Sequence, residues 1–429
     1  MHSTGAASPE ALSGPKQQNK RLVDYMTEHL ITRLGHLGDG VADGPVFAPL
    51  TAPGDAVTGQ LVGDHLTDIR IATPSDHRVS APCAHFRGCG GCSLQHLRDD
   101  FVAEWKADVV RDALRIVGLE PDIRDTLTSP DKSRRRATFA ARRTKKGAMV
   151  GFHGRASDAI IPVPNCILVR PKLMDAMPIA EELAVLGSSR KGALAVSVAE
   201  TETGLDIAVQ NGKPLDIELR TALAQLADAR RLTRLSWDDE TVALRDPPRF
   251  LFDGIAVEPP PGAFLQATDE GQAQLIALVQ SIVGSAKQVV DLFSGCGTFA
   301  LPLARNAEIQ AFESDRAMLD ALDKAWRGAV GLKIIKAMRR DLFRNPLLPD
   351  ELNRFNAAVI DPPRAGAEAQ IKQLAQSDVS TIAHVSCNPQ TFARDAACLV
   401  DAGYELEWVQ PVDQFRWSPH IELVGAFRK

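Results

Sequence analysis

The sequence predicts an α/β protein in three parts: a small N-terminal β-barrel, a strand-rich central domain, and a C-terminal open sheet with helices on both faces. Three observations predict it. Residues 28–80 are short apolar segments separated by glycine-rich turns, the pattern of a small barrel. Three cysteines then crowd into ten residues and open a region of alternating apolar and polar segments. Beyond about residue 272, apolar strands alternate with amphipathic helices, which implies a mostly parallel sheet.

Length and composition are consistent with this. A chain of 429 residues has room for two or three domains with real cores. At 45% hydrophobic and 24% charged it is a folded protein by composition, which excludes collagen-like and largely disordered classes. No run of eighteen apolar residues occurs, so no membrane span is expected. The first twenty residues lack the apolar stretch of a secretory leader, and a cytoplasmic protein is expected. Net charge is 49 − 54 = −5. Any nucleic-acid site must therefore be a local basic patch.

Residues 1–27 have no periodicity and are expected to be a disordered tail. In the barrel region 28–80, the strand candidates are 29–33, 45–49, 56–62 and 67–71, set apart by LGHLGDG, APGD and GDH. The central domain, 81–255, begins with Cys83, Cys89 and Cys92 in the spacing C-x5-C-x2-C, and Cys166 follows in PVPNC. Seven cysteines without an export signal suggest a metal or cluster site before a disulfide framework. Four thiolates hold either a [4Fe–4S] cluster or a tetrahedral zinc. Zinc sites more often pair two C-x2-C knuckles, so the cluster is favoured. Glycines 88, 90 and 91 let the backbone wrap closely around it.

Phe101, Trp105, Val109, Val110, Leu114 and Val117 recur at helical spacing, and Gly118 ends the pattern, predicting a helix over 101–118. Residues 132–146, KSRRRATFAARRTKK, carry eight Lys or Arg and no acid. This run is expected to attract phosphates, with Phe139 and Phe152 as stacking faces for splayed bases. A solvated strand face is the competing reading.

The C-terminal domain, 256–429, contains the helix QAQLIALVQSIV and the strands KQVVDLF, IQAFE, FNAAVID and TIAHVSC. Ligands of such sheets bind beyond the carboxyl ends of the strands, where Asp291, Phe293, Glu313, Asp341, Asp361 and Cys387 fall. VVDLFSGCGTFALPLA reads as strand, glycine turn and helix, with Gly295 and Gly297 at the turn. Glu313 follows Asp291 by 22 residues, a separation that lets a carboxylate reach ribose hydroxyls. The segment resembles the first motif of S-adenosylmethionine-dependent methyltransferases with a Rossmann-like fold. On these residues alone, NAD is an alternative ligand.

Further segments narrow the choice. GAFLQAT carries Gln266; Asp361-Pro-Pro-Arg-Ala-Gly ends one strand; Ser386-Cys387-Asn388-Pro389 ends the next; Glu422 follows in HIELV. In this order the motifs resemble the RNA uracil-5-methyltransferase family, over roughly residues 28–429. The barrel region looks like the family's TRAM domain, and the cysteine spacing with its distant fourth member is shared. The resemblance is greatest to the branch with both a TRAM (OB-like) domain and a [4Fe–4S] cluster, typified by bacterial 23S ribosomal RNA enzymes.

The resemblance implies a Rossmann-like class I methyltransferase domain and a central iron–sulfur domain ligated by Cys83, Cys89, Cys92 and Cys166. It implies S-adenosylmethionine contacts at Gln266, Phe293, Glu313 and Asp361, with Asp341 near the adenine. It also implies the chemistry. Uracil C5 is a poor nucleophile; thiolate addition at C6 gives it carbanion character, and a base then removes the C5 proton. Cys387 is the expected nucleophile and Glu422 the base. Arg364 is expected to orient substrate or a carboxylate, and His420 to bond locally. Cys296 and Cys398 are expected to be inert. The implied partner is RNA, first 23S rRNA, with the same chemistry on tRNA as the alternative. A monomer without an obligate protein partner is expected. A non-catalytic RNA-binding or ribosome-assembly factor is the rival reading. The joint presence of Gln266, Glu313, Asp361, Cys387 and Glu422 argues against it.

Overall fold

The computed structural model describes residues 27–238 and 240–429. The expected tail over 1–27 lies, apart from Thr27, outside the described residues.

Five strands, His29–Leu34, Gly40–Ala42, Val46–Ala48, Ala56–Val62 and His65–Thr73, close into a barrel. Closure comes from His29–Leu34, which pairs with both Gly40–Ala42 and Ala56–Val62. The barrel core is small: Ile31, Ala42, Val46, Ala48, Val57 and Leu66. The central domain is a seven-stranded sheet in the order Ile160–Ile161, Ala148–His153, Arg136–Arg143, Leu194–Thr201, Gly204–Gln210, Arg234–Trp237, Glu240–Leu244. Helices Ala176–Gly187 and Ile217–Ala229 bury their apolar residues in the same core as the sheet.

The C-terminal domain is a nine-stranded sheet. Its inner part runs Ile335–Arg339, Glu308–Glu313, Gln288–Leu292, Ala357–Ile360, Thr381–Ser386, then Glu422–Arg428 and Glu405–Asp413. The first five strands are parallel, and Glu422–Arg428 is antiparallel to both neighbours. The chain order reverses between Gln288–Leu292 and Ala357–Ile360, the switch point where such sheets bind ligands. Separate apolar cores cover the two faces. Among the described residues no helix is long and apolar enough to cross a membrane.

Two details differ from the sequence expectation. The helix expected over 101–118 is Asp99–Ile116, with Gly118 just beyond it at φ +79°. Its Val110, Ala113 and Leu114 enter the core of the C-terminal sheet. Asp122–Ile123 and Leu127–Thr128 then add to the outer strand Glu405–Asp413. Residues 99–128, grouped by sequence with the cysteine region, thus pack with the C-terminal domain. An amphipathic stripe says that a helix will be half-buried, not which core takes it. In addition, GTFALPLARN forms only a single turn, Ala300–Leu303.

Candidate active site

Ser386 lies opposite Leu423 where Thr381–Ser386 and Glu422–Arg428 run antiparallel. One step further along this ladder brings Cys387 to Glu422. Glu422 is only 3% exposed. Burial, then the charge of Asp361, push its carboxyl up to about 8; a hydrogen bond with Gln414 and the charges of Arg364 and Arg136 oppose this. Burial also pushes Asp361 up to about 7. Cys387 is half-buried. Burial first, then the charges of Glu422 and Asp361, push its thiol up to about 11, with Arg364 opposing. A thiol, a carboxyl poised near neutrality and a cation therefore share one site.

Local structure fixes the Cys387 loop. Asn388 caps the helix Pro389–Asp401, its side chain accepting the Gln390 N–H at 3.0 Å. Its amide donates to the Arg364 carbonyl at 3.0 Å, which ties the Ser-Cys-Asn-Pro loop to the Asp-Pro-Pro-Arg loop. Gly366 makes the tight turn of the latter at φ +76°; a Cβ there would meet Thr391 Cβ at 2.9 Å. The buried Asp395 accepts the Ala367 N–H at 3.0 Å. Arg364 stays exposed and reaches His420 Nδ1 at 3.3 Å. The helix N-terminus beside Cys387 opposes part of the rise of its thiol without reversing it.

The glycine loop follows the strand Gln288–Leu292. Phe293 adopts φ +63°, and Gly295 and Gly297 follow at +53° and +91°, backbone that glycine accepts readily. Glu313 pins the loop: Oε2 accepts the Gly295 N–H at 3.1 Å, and Oε1 the N–H groups of Ser314 and Asp315 at 2.6 and 3.0 Å. Phe293 and Phe343 face each other with ring centroids 5.3 Å apart. Asp341 is exposed at the same edge and accepts the N–H groups of Phe343 and Arg344 at 3.0 and 3.2 Å. Beneath the loop, Asp291 is fully buried; burial and the Asp361 charge, then that of Glu313, raise its carboxyl well above the ordinary range against the Ala300 N–H. This crowding of carboxylates favours a cationic ligand. Asp291 stood among the strand ends in the sequence, but nothing local marked its place under the loop. Cys296 is buried, its thiol pushed up to about 12 mainly by burial, and its sulfur contacts Met318 Sδ.

Gln266 reaches this site through a chain that sequence reading missed. Gln414 Nε2 donates to Gln266 Oε1 at 2.5 Å, and Gln414 Oε1 accepts the Ala267 N–H at 2.6 Å. Arg135 holds the same segment from the other side. Its Nε donates to the Gln266 carbonyl at 3.1 Å and its Nη2 to Gln272 Oε1 at 2.7 Å, while Nη1 pairs with Asp269.

Arg135 is 2% exposed, so this member of the basic run joins two domains and is withdrawn from solvent. Phe139 is wholly buried and Phe152 stacks on it at 5.1 Å, so Phe139 is core and offers no face to a base. The solvent-facing charges of the run are at its two ends, Lys132 at the start and Lys145 and Lys146 at the far end.

Cys83, Cys89, Cys92 and Cys166 come together from 84 residues of chain to line one small cavity, with Phe86, Phe152, Ile167 and Leu168. Burial raises the Cys89 thiol and pushes Cys92 up to about 12. Arg155 lies near enough to Cys89 and Cys92, and Arg134 to Cys92 and Cys166, for their charges to matter. Both have a buried Nε without a hydrogen-bond partner among the described residues. A Cβ at Gly90 would meet the His153 and Gly154 carbonyls at 2.9 and 3.0 Å. No three His, Cys, Asp or Glu side chains among the described residues group closely enough to hold a metal ion; the four thiols instead surround a common space.

The family model tRNA (Uracil-5-)-methyltransferase matches residues 331–428. An uncharacterized RNA methyltransferase of Rhizobium meliloti is 43% identical over 408 residues, covering 93% of this chain and 98% of that protein. The 23S rRNA (uracil(1939)-C(5))-methyltransferase RlmD of Marinomonas sp. is 30% identical, covering 92% and 93%. The chain belongs to the RNA uracil-5-methyltransferase family. Its fold matches that of a solved Pyrococcus abyssi tRNA (uracil-54, C5)-methyltransferase in complex with S-adenosyl-L-homocysteine, at TM-score 0.73 and 23% identity, over 93% of this chain and 99% of that one. Within the family, the matched stretch 331–428 holds Asp341, Asp361, Cys387 and Glu422. The other candidate residues lie upstream of it.

Proposed function

We propose that the protein methylates C5 of a uridine in RNA, with 23S rRNA as substrate. Cys387 gives up its thiol proton to solvent; its Sγ then bonds to uracil C6 as the C5=C6 π bond breaks, and that electron pair leaves C5 electron-rich. S-adenosylmethionine supplies the electrophilic methyl group, which bonds to C5 as the S–CH3 bond breaks and S-adenosylhomocysteine leaves. Glu422 takes the proton from C5, the C6–S bond breaks, and Cys387 leaves as thiolate with 5-methyluridine formed. Arg364 steadies the Glu422 carboxylate. Gln266, Phe293, Glu313, Asp341 and Asp361 are the cofactor contacts; the converging carboxylates suit its sulfonium and ammonium charges. The observation that carries the reading is the meeting of Cys387 with Glu422 across neighbouring strand ends. A base within the stack exposes neither C5 nor C6 to a side chain, so a splayed, single-stranded uridine is the fitting substrate.

Cys83, Cys89, Cys92 and Cys166 fit a [4Fe–4S] cluster. Four thiolates around one cavity are the right donor set, and the unpartnered Nε groups of Arg134 and Arg155 suit its net negative charge. The cluster's contribution is a cross-link between the cysteine loop and the central sheet. Protein purified anaerobically is expected to contain about four irons; zinc without iron would reverse the assignment.

The test of function is nucleoside mass spectrometry with site mapping on rRNA and tRNA from cells with and without the gene. Loss of one 23S 5-methyluridine is the expected result. Loss from tRNA would keep the chemistry and change the substrate. No loss in any RNA would overturn the proposal.

A further inference from the structure

Lys106 has no exposed surface, although it lies on a helix whose outer face is charged. A buried ammonium persists only where it is paired and hydrogen-bonded. Its Nζ lies 2.6 Å from Asp413 Oδ1 and also donates to the carbonyls of His420 at 3.0 Å and Phe415 at 3.5 Å. Asp413 ends the strand Glu405–Asp413, and Glu422 begins the next. One ammonium therefore grips both ends of the loop 414–421.

Other groups hold the same loop. Asp99, at the start of the Lys106 helix, accepts from Arg416 Nη2 at 2.6 Å and Trp417 Nε1 at 3.2 Å. The N–H groups of Ser93 and Leu94, just after Cys92, donate to the Trp417 carbonyl at 2.7 and 3.0 Å. Asp413 Oδ1 accepts the Phe415 N–H at 3.0 Å. The loop carries Gln414, which bonds to both Gln266 and Glu422.

We propose that Lys106 and Asp413 are a positioning pair for methyl transfer, fixing the loop 414–421 so that Gln414 and Glu422 stand in register with Cys387. The pair touches no reacting atom, and the proposal rests on the reading of Cys387 and Glu422 given above.

The test compares wild type, the double variant Lys106→Met with Asp413→Asn, and Asp99→Ala. The double variant removes both buried charges together, leaving neither unpaired. Asp99→Ala frees Arg416 and Trp417 from a side chain 58% exposed, so its fold is secure. Each is assayed for Tm, for binding of S-adenosylhomocysteine and of an RNA spanning the mapped site, and for the single-turnover rate. The double variant is expected to keep Tm and both affinities while its rate falls on the order of tenfold to hundredfold. Asp99→Ala is expected to lose rate in the same way but less. A folded double variant with wild-type rate overturns the proposal. So does a rate loss that only follows loss of Tm or of cofactor binding. If the double variant does not fold, Asp99→Ala decides, and a wild-type rate there overturns the pair. If wild type itself forms no 5-methyluridine, the site reading fails, and the positioning pair falls with it.

Discussion

The C-terminal sheet and the segment 93–136 both build the reaction site, by different physics. The sheet delivers Asp361, Cys387 and Glu422 from strand ends, each set by a short local motif and a regular ladder. The segment works from outside, through buried cations that reach far along the chain: Lys106 to Asp413, and Arg135 to Asp269 and Gln272. On the proposed reading the strand-end groups face substrate and cofactor, whereas the buried cations face other parts of the protein. Substitutions in the first class are therefore expected to remove turnover and spare the fold. Loss of a buried cation that leaves its partners unpaired is expected to strike the frame itself.

The largest effect belongs to Cys387→Ala. The thiol is half-buried and holds no structural bond that alanine would break, so Tm is expected to stay near wild type. Methyl transfer is expected to fall at least on the order of 10³-fold, as when a covalent nucleophile is removed. Methylation at the wild-type rate by a folded variant would place the nucleophile elsewhere.

Glu422→Gln sharpens the comparison, because one residue has both a chemical and a stability signature. The RNA adduct is expected to accumulate, visible as a covalent band on denaturing gels, since the C5 proton has no acceptor. Rapid product release would count against the base. For stability, the Glu422 carboxyl is raised from 4.5 to about 8 in the folded protein. Between these values the folded state holds a proton that the unfolded state releases, so wild-type stability falls as pH rises through that window. The glutamine variant lacks this penalty. It is expected to match wild type below about pH 4.5 and to gain up to a few kcal/mol above about pH 8. Tm curves that stay parallel across the window would refute the raised carboxyl.

The two regions also differ in how much of them the sequence discloses. Strand–turn–helix periodicity and the motifs around Gly295, Asp361, Cys387 and Glu422 are local, and the structure realises them locally. The four cysteines were likewise legible as a group, since their crowding is unusual on its own. Lys106 and Arg135 were not. In sequence Lys106 is one charge on an amphipathic helix and Arg135 one of eight in a basic run. Their partners, Asp413 and Asp269, lie 307 and 134 residues away, and no local pattern encodes a pair at that separation. Gln414 was missed for the same reason. Phe139 was misread because a stacking face and a core face look alike until the strand is placed in its sheet.

Arg135→Met tests the frame directly. It leaves Asp269 without one of its two arginines and Gln272 and the Gln266 carbonyl without their donor. A loss of about 1–3 kcal/mol is expected from leaving the buried Gln272 and Gln266 acceptors without their donor, since Asp269 is 47% exposed and keeps Arg170; it is read as a lower denaturation midpoint. Arg135→Lys is expected to recover only part of it, because a point charge cannot serve three acceptors as the guanidinium fork does. RNA affinity measured where the variant is fully folded is expected to stay near wild type. A large affinity loss with normal stability would return Arg135 to the phosphate-binding set.

The smallest effect marks where the basic run changes role. Lys145 and Lys146 sit at the exposed turn after the strand Arg136–Arg143, and the run from Lys132 to them holds no acid. They make no buried contact, so Lys145→Ala with Lys146→Ala is expected to change stability by less than about 0.5 kcal/mol. If they meet the RNA backbone, each neutralises about one phosphate and releases its counterion. The slope of log affinity against log salt should then become shallower by about one per lysine, with single-turnover rate at saturating RNA unchanged. Titrating RNA at several salt concentrations reads the slope directly. An unchanged slope would leave the turn a solvated face and move the phosphate contacts inward, to Arg142 and Arg143.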